Sequence, residues 1–326
     1  MSNAISLRQL AGVLSAAAAL VSAPVFAQAW PAKPVRIIVP FATGGGADLQ
    51  ARVLGKSFNE NTRQSFVVDN RTGAGGLIGA ELTVQSPPDG YTLLLTTATI
   101  AVNTTLFGKR MRFSAEKDLV PVTWLSSTPL VLVIHPSVPA KSVKELVALG
   151  RNRSGNLTSA VNSHGSTSHL SAEMLRQFAG VRSVIVPFKG GSPAMLSVVS
   201  GDTDLLFATG PVATPQIASG KVRALAVTTP TPSSAFPTLP TMNTFYPGFE
   251  SDNWYAMFFP AGTPKDIVVR LNGLIAKALQ AQEVREFLKR EALDPVASTP
   301  DELSDLLKRE IAKYADIIAK GDIKLE

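Results

Sequence analysis

The chain has 326 residues, Lys+Arg 31 against Asp+Glu 25 for a formal net charge of +6, and 0 Cys. Without Cys there is no thiol catalysis, no Cys-based zinc site and no disulfide framework, and a chain of about 300 residues can bury a large core without cross-links. The basic residues are scattered and aromatic residues make up only 7%, so no basic stripe marks a nucleic-acid surface; the mild positive balance favours small anions, but weakly.

The first element in chain order is a leader. Arg8 is the only charged side chain before Lys33, an apolar run covers Leu10 to Phe26, and Val25 and Ala27 give a small-x-small cleavage pattern. A basic start, a short apolar core and small residues at its end form a secretory signal. The run is broken by Gly12, Ser15, Ser22 and Pro24 and is shorter than the ~20 residues of a membrane span. Residues 1–27 are therefore read as a cleaved signal peptide and the mature protein as periplasmic, with no Cys after the site to carry a lipid.

Strands and helices then alternate. Val35–Val39 is a β-branched apolar run and reads as a buried strand. Helix is expected over 48–58, strand over 66–69, helix over 77–85 and strand over 91–96, the pattern of a parallel sheet with helices on its faces. A second cycle begins with a strand over 130–135. Ser142 and Glu145 form a capping box ahead of a helix over 143–151. Strands at 157–161, 184–186, 205–208 and 224–227 alternate with a helix over 168–178 and a short one bracketed by Ser192 as N-cap, Pro193 and Gly201. Thr228 to Thr244, rich in Pro, Thr and Ser, reads as irregular connection. A strand at 254–259 and helices over 264–280 and 300–319 complete the chain. Two lobes suit this length better than one domain.

Four strand–helix junctions carry the chemistry. Pro40 to Asp48 contains Gly44, Gly45 and Gly46 between a buried strand and a helix. Glycines let a ligand approach the main chain, and the helix N–H groups and dipole favour an anion. Asp48 is expected to be the helix N-cap. Gly73-Ala74-Gly75 to Gly79 nearly spells a dinucleotide fingerprint, but it is one residue too long and lacks the acidic residue about twenty positions on. It is read as close packing at a helix start, with no cofactor. At Asn162 to Leu170, hydroxyls converge with helix N–H groups. It does not fit the G-x-S-x-G nucleophile turn, and His164 and His169 are not at metal-ligand spacing, so no metal is expected and a second polar half-site is. Pro187 to Pro193 faces the ends of the strands, where open α/β sheets bind ligands; Lys189 either counters a ligand carboxylate or is a surface charge.

These motifs, with Trp30-Pro31-Ala32-Lys33-Pro34-Val35-Arg36, Asn70 to Gly76, Pro88-Asp89-Gly90-Tyr91, Arg223 to Val227 and Pro260 to Pro264 following in order, resemble the tripartite tricarboxylate transporter substrate-binding proteins, the Bug receptors. The resemblance implies an α/β fold of the type II periplasmic-binding class, two α/β lobes with a ligand cleft between them. Lobe 1 would comprise 28–127 plus 248–326 and lobe 2 128–247. It also implies that the ligand carboxylate is held by main-chain groups and water between Thr43, Gly44, Gly45 and Asp48 on one side and Ser163, Gly165, Ser166, Thr167 and His169 on the other. Thr97, Ala98, Lys189, Gly190, Gly191 and Thr209 would line the same cleft. The usual G-N-G-T-P-S-H-L loop is replaced by Ser163-His164-Gly165-Ser166-Thr167-Ser168-His169-Leu170, a change beside the ligand.

The expected function is a non-enzymatic, monomeric receptor for a small organic acid or acidic amino acid, serving transporter membrane subunits. The alternatives are a ligand sensor feeding a signalling partner, or a periplasmic serine hydrolase using a serine of 166–168 with His169, for which no acid is placed to orient the histidine.

Overall fold

A computed structural model describes residues 30–152 and 157–321; the leader read at 1–27 lies outside them. The chain opens with β1 (Val35–Val39), α1 (Gly46–Thr62), β2 (Phe66–Asn70), α2 (Leu77–Val84), β3 (Thr92–Thr97) and α3 (Thr99–Leu106). A long strand, β4 (Leu119–Ile134), leads into α4 (Val143–Asn152), β5 (Leu157–Val161), α5 (Thr167–Ala179), β6 (Ser183–Pro187), α6 (Gly191–Ser200), β7 (Leu205–Thr209), α7 (Gly210–Ala218) and β8 (Arg223–Val227). The return runs through α8 (Met242–Phe245), β9 (Asp252–Pro260), α9 (Lys265–Gln280), α10 (Gln282–Arg290), β10 (Asp294–Pro295) and α11 (Pro300–Gly321).

The result is two α/β lobes. The first sheet has the order β2-β1-β3-β9-β4 and the second β4-β7-β5-β6, with β8 and β10 also pairing with β4. β1 lies parallel to β2 and β3, and β5 lies parallel to β6 and β7, so in both lobes the strand–helix junctions project from the same end of the sheet. Val35, Ile37, Ile38 and Val39 are fully buried, as expected for a strand covered on both faces. The α11 helix packs on α3 and β4 of the first lobe.

The strand β4 belongs to both sheets. Its first part pairs with β9 as far as Pro129↔Asp252, and Leu130 onward pairs with β7 and β8. Only its second part is legible in the sequence, because Pro121 and Pro129 argue against a central strand. The structure absorbs Pro121 with a register shift between Pro121 and Thr123, and a second shift falls between Trp124 and Ser126, irregularities of the kind that free a residue from the ladder. Pro215 similarly hides α7, which carries it inside the helix.

Two expected caps are corrected. The N-cap of α1 is Gly45, not Asp48. Asp48 sits at the third helical position and its Oδ2 accepts from Gly44 N at 2.9 Å, reaching back over the first turn as the acid of a capping box does. The N-cap of α6 is Gly190, not Ser192; Gly190 N donates to Asn162 O at 2.8 Å, which fixes the chain two residues earlier. The Ser142–Glu145 box is present, with Glu145 N donating to Ser142 Oγ at 3.2 Å and the Glu145 carboxylate accepting from Lys141 N at 2.7 Å.

Where the lobes meet, one buried side chain ties β4 to the segment that enters β9. The Thr228 hydroxyl donates to Ser251 O at 2.5 Å and accepts from Leu130 N at 3.1 Å. The next residue after Ser251 is Asp252, whose pKa is raised to about 6 chiefly by burial; Lys313 opposes the shift, and Glu250 and Glu310 add to it. The Tyr314 hydroxyl also lies here, donating to Asp252 O at 3.3 Å. A carboxyl whose folded pKa lies above its unfolded value stabilises fully below the unfolded value, and the benefit is lost as pH rises to about 6. Asp252→Asn is therefore expected to hold or raise Tm at pH 7 and to lose that advantage below about pH 4 in thermal melts across pH. A Tm loss at pH 7 that disappears at pH 4, where the carboxyl is protonated, would show that the ionised carboxylate is needed there.

Candidate ligand cleft

The parallel order places five strand–helix junctions against one another across the gap between the lobes. The starts of α1 (Gly46, Ala47), α3 (Thr99), α5 (Thr167) and α6 (Gly191), with the Thr209 N-cap of α7, line one small cavity of about 30 Å³, together with Thr97, Asn162, Asn253 and Tyr255. Such a volume holds about one water. The first N–H groups of a helix have no intrahelical acceptor and carry the positive end of its dipole. Among the polar atoms buried without a partner are Asn162 Oδ1 and Asn253 Nδ2, both of residues lining this cavity. The Tyr255 hydroxyl is hydrogen-bonded to Thr209 and Asn253, and burial pushes its pKa up to about 12, so it is present as the neutral phenol.

A second cavity of about 460 Å³ adjoins the first, with Phe41 lining both. Its walls come from the Gly73–Gly76 loop, Phe107, Arg110, Ser163, His164 and the Pro187–Lys189 segment. Ser163 Oγ and His164 Nδ1 are buried without a partner.

The lobes touch directly around both cavities. Ala42 N donates to Lys189 O at 3.0 Å, and Thr167 Oγ1 donates to Asn253 Oδ1 at 3.3 Å. Within the first lobe, Asn103 Nδ2 donates to Gly75 O at 2.8 Å. Gly165, with φ +70, lies so close to Asn103 that a Cβ there would stand 2.1 Å from Oδ1. Only glycine allows that approach and that backbone conformation together.

The expected site residues separate into three groups. Gly45, Thr97, Thr167, Gly191 and Thr209 line the small cavity, and Ser163 and Lys189 line the large one. Gly165, Ser166, His169 and Gly190 stand behind the lining and shape it. Ser166 is the N-cap of α5, its hydroxyl donating to Ser163 O at 2.7 Å and accepting from His169 N at 3.3 Å. His169 Nδ1 accepts from Gly165 N at 3.1 Å, which puts any ring proton on Nε2. Burial lowers its pKa to about 4, Glu173 opposing and His164 adding to the shift. Thr43, Gly44, Asp48 and Ala98 line neither cavity. Thr43 and Gly44 are exposed, and the fully buried Ala98 donates N–H to Trp254 O. Asp48 faces Arg52 at 2.9 Å. Burial alone would raise its carboxyl, but hydrogen bonds from Arg52, Gly44 N and Asn70 hold it below the usual range.

Sequence reasoning passes over Asn162, Asn253, Tyr255, Phe107 and Arg110. Asn162 has a signal, since it opens a junction already singled out. Asn253 and Tyr255 lie in β9, where an alternating strand gives no hint that its polar side points at a ligand. The Gly73–Gly79 loop, read as packing, does both: a Cβ on Gly79 would stand 2.8 Å from Pro40 Cβ, while Gly73 to Gly76 line the large cavity.

Comparison with known proteins agrees with this geometry. Residues 50–323 match the model of the tripartite tricarboxylate transporter family receptor. Protein BugT of Bordetella pertussis is 36% identical over 99% of this chain and 100% of its own length. Two solved structures are similar over their whole length: R. palustris Rpa4515 with adipate, 32% identical, TM-score 0.87, covering 90% of this chain and 99% of that one; and MatC from Rhodopseudomonas palustris with bound malate, 30% identical, TM-score 0.85, covering 89% and 100%. Among the described residues no helix is long and apolar enough to cross a membrane. The two-lobed fold, its cleft of helix N-termini and these matches together place the chain in the tripartite tricarboxylate transporter receptor family.

Proposed function

We propose that this protein is a periplasmic receptor that captures a small carboxylate-bearing solute, an organic acid or acidic amino acid, between its lobes and presents it to the membrane subunits of a tripartite tricarboxylate-type transporter. The observation that carries this reading is the convergence of five helix starts on one buried cavity beside unpartnered amide atoms of Asn162 and Asn253. Backbone N–H groups there are fixed in place and aimed at an anion, and a carboxylate oxygen has the size and charge to occupy the space of the single water. The rest of the solute extends past Phe41 into the larger cavity. The adipate and malate bound by the two relatives are small dicarboxylates of the same chemistry.

In this reading residues 1–27 are a cleaved leader, 28–127 with 248–326 form one lobe and 128–247 the other, and the protein acts as a monomer. Contacts to the solute come from Gly45, Thr97, Thr167, Gly191 and Thr209, joined by Asn162, Asn253 and Tyr255. The role is binding without catalysis: the Ser166 hydroxyl is spent on Ser163 O, and its link to His169 is to the backbone N–H and not to a ring nitrogen, so no base is in position to activate it.

The test is a thermal-shift and calorimetric screen of organic acids and acidic amino acids on protein stripped of ligand by unfolding and refolding. A binder at a hundred times its Kd stabilises by about 2.7 kcal/mol, a rise of a few degrees in Tm. No shift with any acid would sink the proposal.

A further inference from the structure

The larger cavity carries information on what lies beyond the carboxylate. We infer that the solute is an aryl carboxylate bearing a second acidic group, its ring held among Phe41, Phe107 and Phe188 and its second anionic group met by Arg110 and Lys189; this rests on the carboxylate reading above. Aromatic residues are 7% of the chain, yet three phenylalanines stand among the thirteen residues lining this cavity, with Pro40 and Pro187 beside them. A volume of about 460 Å³ falls in the ordinary range of about 300–1,000 Å³ for small-molecule pockets, which are mostly apolar with a few placed polar groups. Aromatic walls favour an aromatic guest through offset and edge-on ring contacts worth about 0.5–1.5 kcal/mol beyond area alone.

Two of the three phenylalanines, Phe41 and Phe188, are anchored in advance. The Phe41 carbonyl accepts from Asn70 Nδ2 at 2.9 Å, and the Phe41 ring lies over Gly76, where a Cβ would stand 3.4 Å from it. Phe188 N donates to Val161 O at 3.0 Å. The next residues along the chain, Ala42 and Lys189, are joined by the 3.0 Å hydrogen bond between the lobes. Bringing the lobes together therefore brings Phe41 and Phe188 to the same cavity from opposite sides, the arrangement of a clamp on a flat molecule.

The charge is equally one-sided. Arg110 and Lys189 line the cavity and no Asp or Glu does. Neither cation has an ion-pair partner within 4.0 Å among the described residues, although twelve such pairs occur elsewhere among them. Ser163 Oγ and the His164 ring add polar atoms buried without a partner. Arg110 and Lys189 are exposed at the cavity mouth and keep water, but an apolar solute would leave the buried Ser163 and His164 atoms unanswered, whereas a carboxylate on the far side of a ring meets both cations, and an Arg fork suits it in particular.

The experiment is calorimetric titration of the stripped, full mature protein with 1,4-benzenedicarboxylate, trans-1,4-cyclohexanedicarboxylate, adipate and benzoate. The expected order places 1,4-benzenedicarboxylate at least tenfold tighter than its saturated counterpart and adipate, and at least tenfold tighter than benzoate. Phe107→Leu should erase the preference for the aromatic ring, and Arg110→Gln should bring the dianion down to the affinity of benzoate, both with unchanged circular dichroism. Adipate or the saturated ring binding as well as the aromatic diacid overturns the inference and leaves the carboxylate receptor standing. Failure of all four, with a different organic acid binding in the wider screen, also overturns it. Failure of every acid overturns both.

Discussion

Gly75→Ala is expected to weaken solute binding by roughly 10- to 100-fold while the ligand-free protein stays folded. In the present arrangement, with the lobes in contact, a Cβ on Gly75 would stand 2.7 Å from the His164 carbonyl oxygen of the other lobe and 3.1 Å from Asn103 Nδ2. The first of these is a backbone atom, so the clash is relieved only by parting the lobes. Overpacking of this kind costs about 1–3 kcal/mol, and each 1.4 kcal/mol is a tenfold change in affinity. Gly75 also has φ +65, so an added Cβ costs about 1–2 kcal/mol of backbone strain whether the lobes are apart or together, and the melt of the ligand-free form reports that part. Titration of the variant with the best acid from the screen, beside a melt of the ligand-free form, separates the two effects. An unchanged Kd would mean that solute binding does not draw the Gly75 loop against His164.

His169 should make the protein acid-labile well above the ordinary carboxylate range. Burial lowers its pKa from 6.5 to about 4. A histidine that resists protonation when folded but accepts it when unfolded contributes its full stability above about pH 6.5, and that contribution is lost progressively as pH falls to about 4. The shift corresponds to about 3 kcal/mol at 1.36 kcal/mol per unit. Asn is the informative replacement, because its Oδ1 can take the place of Nδ1 in accepting from Gly165 N. In an Asp252→Asn background, His169→Asn is expected to flatten the fall in stability between pH 6.5 and 4, measured by urea denaturation at half-unit steps. The Asp252 contribution has the opposite slope over most of this window and offsets that of His169 in the wild type, so His169→Asn without the second substitution should leave stability rising as pH falls from about 6 to about 4. A His169→Asn profile parallel to the wild type would remove His169 as the source.

Much of this was legible in the sequence because the parallel β-α units announce themselves. The runs at Val35–Val39 and Leu157–Val161 and the glycines and serines after them mark both the lobes and the junctions of the cleft. Tertiary partnership is harder to read. Pro121 and Pro129 conceal that β4 is one strand, since nothing local reveals the register shift that accommodates the first. Asn253 and Tyr255 reach the cleft only because β9 returns from the far end of the chain to sit beside β3. Thr43 and Gly44, the most conspicuous part of the glycine-rich loop, face outward, and Gly45 and Gly46 take the inner positions. The loop has room for two glycines at the ligand, and sequence cannot say which two.

That return has a further consequence for the order of assembly. Thr97 at the end of β3 pairs with Tyr255 of β9, and β9 in turn fastens the first part of β4, so the first lobe is left with an unzipped central seam until the last quarter of the polypeptide is present. The strands of the second lobe are all contiguous from β4 to β8. Because closing long loops delays the contacts they bring, the second lobe should acquire hydrogen-exchange protection first during refolding, with the N-terminal strands protected only together with β9.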